Sequence, residues 1–107
     1  MAGMQRGAAE QALIDRARAV LPGGSFGNMA SDVVIAKGKA GRIWDLSGNE
    51  YVDFLLGSGP MFVGHDHPEV TAAVQAQVPK GTTFFANNEH GIALAEEICQ
   101  AVTCASK

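Results

Sequence analysis

Residues 57–70, GSGPMFVGHDHPEV, hold the side chains most capable of chemistry: His65 and His67 two positions apart, Asp66 between them and Glu69 just beyond. In a β-strand, residues i and i+2 share a face, so the two imidazoles could bridge a metal ion. A structural zinc site normally closes with four ligands, and the sequence offers no further cluster of cysteine, histidine and acid. The competing reading, a helix start, fits the residue types better. Pro68 suits a first helical turn, where its missing N–H costs nothing. Asp66 followed by Glu69 fits an Asp-led capping box, with the histidines on either side of the cap and pointing apart. The preceding Gly57-Ser58-Gly59-Pro60 either lets backbone approach a ligand closely or makes a tight turn. Phe84-Phe85, beside Asn87-Asn88, line a pocket or join a core, and the pattern favours core. Cys99 and Cys104 lack CxxC spacing. Cys99 is expected on the apolar face of a helix as a small buried hydrophobe.

These residues must be positioned by a short run of elements. Residues 8–21 read as a helix with Ala9, Leu13, Ala17, Val20 and Leu21 along one stripe. Pro22-Gly23-Gly24 stops it, and GGSFGNMAS reads as a loop. The period then changes. DVVIAKG, GRIWDLSG and NEYVDFLLG are three short β-branched or aromatic runs between glycine turns. Lys37–Gly41 links the first two, Asp45–Asn49 the second and third. Ile43 and Asp45 should face one way, Trp44 and Leu46 the other. A second helix is expected over 67–78, with Val70, Ala73, Val74 and Val78 buried and Pro79-Lys80-Gly81 ending it. A third starts at the N-cap Asn88 and runs to about Val102, burying Ile92, Ala95, Ile98, Cys99 and Val102. The expected fold class is α+β: a helix, a small antiparallel β-meander and two further helices.

The 107 residues are 47% hydrophobic, which argues against disorder over most of the length. A formal charge of −3 gives no basic footprint, so nucleic acid is a poor partner. No apolar run approaches the roughly 18 residues of a membrane span. Met1–Arg6 lacks the apolar core of a signal peptide, so the cytoplasm is the expected compartment. One marginal sheet and three helices leave a thin core, and the tail AVTCASK carries no stop signal. The chain reads as the opening of something larger.

Taken together, LPGG, GRIWDLSGNEYVDF, GSGPMFVGHDHPEV and GTTFFANNEHGIALAEEICQAV resemble the N-terminal part of class III pyridoxal-phosphate-dependent aminotransferases, closest to the glutamate-1-semialdehyde aminomutases. The spacing of W-D-x-x-G-N-x-Y-x-D with G-H-x-H-P carries the likeness, from about Ala9 to Val102. The resemblance implies part of a fold-type I enzyme, with residues 1–56 in the small domain and 57–107 leading into the large pyridoxal-phosphate domain. It implies a homodimer that takes an amino-group donor and a carbonyl acceptor, or moves the amino group between adjacent carbons. Ser58 and Gly59 match the segment near the substrate, Phe26 and Asn28 the loop that covers it, and Phe85 a segment near the pocket and dimer interface. The family's phosphate-holding loop, pyridine-pairing aspartate and Schiff-base lysine match nothing in this sequence. Lys37, Lys39, Lys80 and Lys107 fit no such role, since a Schiff-base lysine needs a desolvated or cation-flanked site. The chain alone is therefore expected neither to bind pyridoxal phosphate nor to turn over. A non-catalytic dimerisation module and a small metal-binding domain are the alternatives.

Overall fold

The computed structural model describes residues 5–26 and 32–105. Two compact units divide the chain, Met1–Thr71 and Ala72–Lys107. Helix α1 spans Ala8–Val20. Strands β1 (Ile35–Lys39), β2 (Arg42–Asp45) and β3 (Glu50–Val52) follow, then α2 (Pro68–Gln77) and α3 (Glu89–Ala101). The α+β expectation and the meander hold: β1, β2 and β3 pair in sequence order, all antiparallel.

Helix α1 is alanine-rich, a composition of high intrinsic helix propensity. It ends because Leu21 precedes Pro22 and takes an extended conformation (φ −100°, ψ 135°). Its buried face differs from the expected stripe. Glu10 (2% exposed) and Ile14 (3%) are buried, whereas Ala9 is exposed and Val20 is 76% exposed. Glu10 is inside because its carboxylate finds donors there. Oε1 accepts the Val34 N–H at 2.9 Å, and Oε2 accepts the Ser47 hydroxyl. The Gly7 N–H in turn donates to Ser47 Oγ at 2.8 Å. The helix is thus fastened beside the meander by polar contacts.

The strands are shorter than the apolar runs. Their first link is only Ala40-Gly41, because Lys39 pairs with Arg42, so Lys37, Gly38 and Lys39 lie in β1 and not in a turn. A bulge between Ile35 and Lys37 shifts the register. The two faces alternate as expected. On one, Lys37 Nζ stands 4.9 Å from the Trp44 ring centroid; on the other, Tyr51 pairs with Ile43 and reaches Asp45.

Helix α2 starts at Pro68, and the Thr71 N–H bonds the His67 carbonyl at 2.8 Å. The capping box does not form. Asp66 (φ 53°) accepts the Thr71 side-chain hydroxyl at 3.1 Å and approaches Lys39 Nζ at 3.4 Å, and neither donor is a helix backbone N–H. Asn88 caps α3 as expected, its Oδ1 accepting the Gly91 N–H at 2.9 Å. The apolar stripes are present but uncovered. Val70, Val74 and Val78 are half exposed, as are Ile92, Ile98 and Val102, and Cys99 is exposed. Phe84 and Phe85 do not join a core either, with Phe85 fully exposed. Periodicity marks which side of a helix is apolar; burial also needs a facing element, and among the described residues α2 and α3 do not pack on each other.

Candidate functional site

The corner between β3 and α2 is built around one carboxylate. Asp53 Oδ1 accepts the N–H groups of Leu55 (2.9 Å) and Leu56 (3.0 Å), turning the chain out of the sheet. Its Oδ2 lies 2.7 Å from His65 Nε2. An ionised carboxylate only accepts, so His65 Nε2 carries the proton and donates it. This bond, with the Leu56 and Leu55 N–H groups, holds the Asp53 carboxyl below its ordinary value against the opposing effect of burial. The His65 backbone is fixed as well: its N–H donates to the Ala40 carbonyl (2.9 Å) and its carbonyl accepts the Ala40 N–H (2.7 Å).

Two glycines make that approach feasible. A Cβ at Gly38 would lie 2.5 Å from His65 Cγ, and one at Gly64 would lie 2.7 Å from the Ala40 carbonyl oxygen. Between the fixed ends runs a loop with much left-handed backbone: Leu56 (φ 46°), Gly57 (67°), Ser58 (63°), Gly59 (118°) and Gly64 (79°). For the non-glycine residues Leu56 and Ser58 this conformation costs about 1–2 kcal/mol each. Such strain persists only where the surroundings over-determine it.

A second network lies within the meander. Asp45 is 4% exposed. Its Oδ1 accepts the Asn49 N–H at 2.7 Å, and its Oδ2 accepts Asn49 Nδ2–H and the Tyr51 hydroxyl, both at 2.7 Å. Burial pushes this carboxyl up, but the bonds from Tyr51, Asn49 and the Ser47 backbone together outweigh it and hold it below the usual range. The bond to Asp45 raises the Tyr51 phenol above its ordinary value, helped by burial. The sequence motif W-D-x-x-G-N-x-Y-x-D is therefore scaffolding: Asp45, Asn49 and Tyr51 close the second turn, and Asp53 grips the first histidine of G-H-x-H-P. Sequence reading missed both roles. The regular spacing of Asp45, Asn49, Tyr51 and Asp53 was the available signal.

Of the expected site residues, Phe26, Ser58 and Gly59 lie in the Met1–Thr71 unit. Ser58 and Gly59 stand together, exposed, at the end of a 3₁₀ turn (Leu56–Ser58). Phe26 is 86% exposed and lines a different cavity of about 500 Å³ with Leu13, Ile14, Ala17 and Val33–Ile35. Asn28 lies outside the described residues. Phe85 belongs to the Ala72–Lys107 unit. Among the described residues no group of three or more His, Cys, Asp or Glu side chains could hold a metal ion, and His65 Nε2 is already taken by Asp53.

The described residues do not fit pyridoxal phosphate. A Schiff-base lysine needs its pKa lowered by desolvation or neighbouring cations. Lys37 is exposed over Trp44, Lys39 is 73% exposed beside the carboxylate of Asp66, and Lys80 is exposed at a turn end. Phosphate favours a helix N-terminus, but α1, α2 and α3 each carry an acid in the first turn: Glu10, Glu69 and Glu89.

Comparison with known proteins sets this scaffold in context. Glutamate-1-semialdehyde 2,1-aminomutase of Desulfitobacterium hafniense is 40% identical over 93 residues, covering 80% of this chain and 22% of that protein. The Syntrophomonas wolfei protein of the same name is 36% identical over 104 residues, covering 89% and 24%. An omega-transaminase from Sphaerobacter thermophilus superposes with a TM-score of 0.80 at 34% identity, over 92% of this chain and 24% of that one. A transaminase with PLP bound gives a TM-score of 0.78 at 31% identity, over 91% and 24%. The chain thus spans less than a quarter of the length of these curated relatives. No helix among the described residues is long and apolar enough to cross a membrane. The family model for class III aminotransferases matches residues 25–106, and with the three helices and antiparallel meander of a piece of a fold-type I transferase, the chain belongs to that family.

Proposed function

We propose that this chain supplies the substrate-facing entrance of a pyridoxal-phosphate-dependent amino-group transferase, an aminotransferase or a glutamate-1-semialdehyde aminomutase-like enzyme. The observation that carries the reading is the Leu56–Gly64 loop, which presents Ser58 and Gly59 to solvent in left-handed, glycine-rich backbone. Exposed, glycine-rich backbone suits close approach to a small polar substrate. In this reading Phe26 and Asn28 cover the substrate and Phe85 lies beside the pocket. The substrates are an amino-group donor and a carbonyl acceptor, and the working enzyme is a cytoplasmic homodimer. The 1–56 segment belongs to its small domain, and 57–107 leads into the large one. The chain by itself neither binds the cofactor nor turns over, since no described lysine is desolvated and each described helix start is acidic.

Two experiments test this. Incubation with pyridoxal phosphate, borohydride reduction and intact-mass measurement should leave no stoichiometric adduct; one adduct per chain on a single lysine overturns the inactivity. A chimera in which this chain replaces the matching residues of the Desulfitobacterium relative should retain amino transfer. A well-folded chimera without activity removes the functional reading.

A specific observation also favours association as a second reading. Phe54 (93% exposed), Phe62 (92%) and Phe85 (113%) are bare aromatic side chains, and exposed apolar surface of this kind marks interaction sites. Sedimentation decides it: a defined dimer with a cooperative melt supports a dimerisation module, and a well-folded monomer ends that reading.

A further inference from the structure

We infer that Asp53 and His65 form a clamp that fixes the Ser58–Gly59 turn, making them positioning residues for it. The turn's importance to substrate rests on the amino-transfer reading above; the clamp rests on geometry alone.

One carboxylate grips both ends of the loop. Oδ1 holds the outgoing chain through the Leu55 and Leu56 N–H groups, and Oδ2 holds the returning chain through His65 Nε2. The loop is thereby closed between residues twelve apart in sequence, a short Ω-type closure. His65 cannot drift, because its backbone is bridged on both sides to Ala40 and its ring lies against Gly38. Asp53 is anchored from the other side, its own N–H donating to the Gly41 carbonyl at 2.9 Å. The hairpin tip Ala40-Gly41 is thus the base plate, Asp53 the bolt and His65 the nut. Inside the closure, the Ser58 N–H reaches the Leu55 carbonyl (2.9 Å), the Gly59 and Met61 N–H groups the Leu56 carbonyl (3.4 and 3.2 Å) and the Gly64 N–H the Met61 carbonyl (2.8 Å). These four bonds are local, and none joins the two ends of the loop. Without the clamp, Leu56 and Ser58 gain by relaxing to ordinary backbone.

Amide hydrogen exchange on the 107-residue chain tests the clamp, with the Asp45 and Leu46 amides of the meander as internal reference. In His65→Ala the Ser58, Met61 and Gly64 amides should exchange at least tenfold faster relative to that reference, the signature of local opening. His65→Gln places an amide N–H near the Nε2 position and should restore protection to within about threefold of the parent, as expected for local release of one bonded contact. In the parent, the His65 Nε2 proton should give a slowly exchanging imidazole resonance, and Asp53→Ala should abolish it. Unchanged loop amides in His65→Ala, a rise in step with Asp45 and Leu46, or no rescue by glutamine would each overturn the clamp. The exchange readout needs no substrate. Its failure removes the clamp and leaves amino transfer standing, whereas an inactive chimera removes amino transfer and leaves the clamp.

Discussion

Gly38→Ala offers a stringent check of the corner. Alanine in a strand interior normally gains about 0.5–1 kcal/mol over glycine, so intrinsic preference alone predicts stabilisation. The geometry predicts the opposite. The new methyl would meet His65 Cγ at 2.5 Å, Cδ2 at 2.8 Å and Cβ at 2.9 Å. The ring could swing away, but Cβ cannot, because the His65 backbone is held by Ala40. Moving the ring breaks the 2.7 Å bond to Asp53, whose side chains are only 24% (His65) and 10% (Asp53) exposed. Losing a hydrogen bond to a charged group costs about 1.5–3 kcal/mol, and overpacking adds about 1–3 kcal/mol. Net of the strand gain, the variant should lose about 2–5 kcal/mol, which lowers the melting midpoint by roughly 8 °C or more in a domain this small. The sequence has a single tryptophan, Trp44 in β2, so its fluorescence during urea or thermal unfolding reports the meander directly. Gly41→Ala is the matched control, since a Cβ there meets nothing within 4 Å and the backbone needs no positive φ. Should Gly38→Ala prove as stable as Gly41→Ala, the close packing of His65 on β1 is refuted.

Other outcomes follow from the same networks. Tyr51 is the only tyrosine, so phenolate absorbance gives its titration cleanly; its midpoint should lie above 10.0 and move down in Asp45→Asn. That raised value stabilises the fold below pH 10, and the contribution disappears as pH rises through the folded-state midpoint. The depressed carboxyls of Asp45 and Asp53 act in the opposite sense: their stabilisation is present above the unfolded value of 3.8 and is lost as pH falls through the lower folded values. Trp44 fluorescence should therefore show acid unfolding beginning below about pH 4, with less acid sensitivity in Asp53→Asn. Glu10→Ala strands the Val34 N–H and Ser47 hydroxyl; it should cost about 1–3 kcal/mol and speed amide exchange in α1, and an unchanged melt would contradict the buried role of that carboxylate.

Much of the local architecture was legible because it is decided within a few residues. Pro22 and Pro68 set one helix end and one helix start through their fixed φ and missing N–H, Asn88 offered a capping oxygen, and glycine turns separated three β-forming runs. Strand limits were less legible, since the apolar runs extend past the points where Asp53 bends the chain and Ala40-Gly41 tightens the first turn. The candidate site was legible only in part. Ser58 and Gly59 were singled out by the family resemblance, within a turn that residue types marked only as glycine-rich, while Asp53 and His65 entered the sequence reading as motif letters or candidate ligands and not as a pair.

The sequence by itself determined where the chain turns, where its helices begin and which side of each is apolar, because these preferences act through neighbouring residues. Tertiary structure alone decided that Glu10 is buried, since its carboxylate needs donors from Val34 and Ser47, far along the chain. It alone decided that His65 is occupied by Asp53 and that two glycines leave room for the contact. The stripes of α2 and α3 show the same division: alternation of residue types creates an apolar face, but only a second surface brought against it removes that face from water.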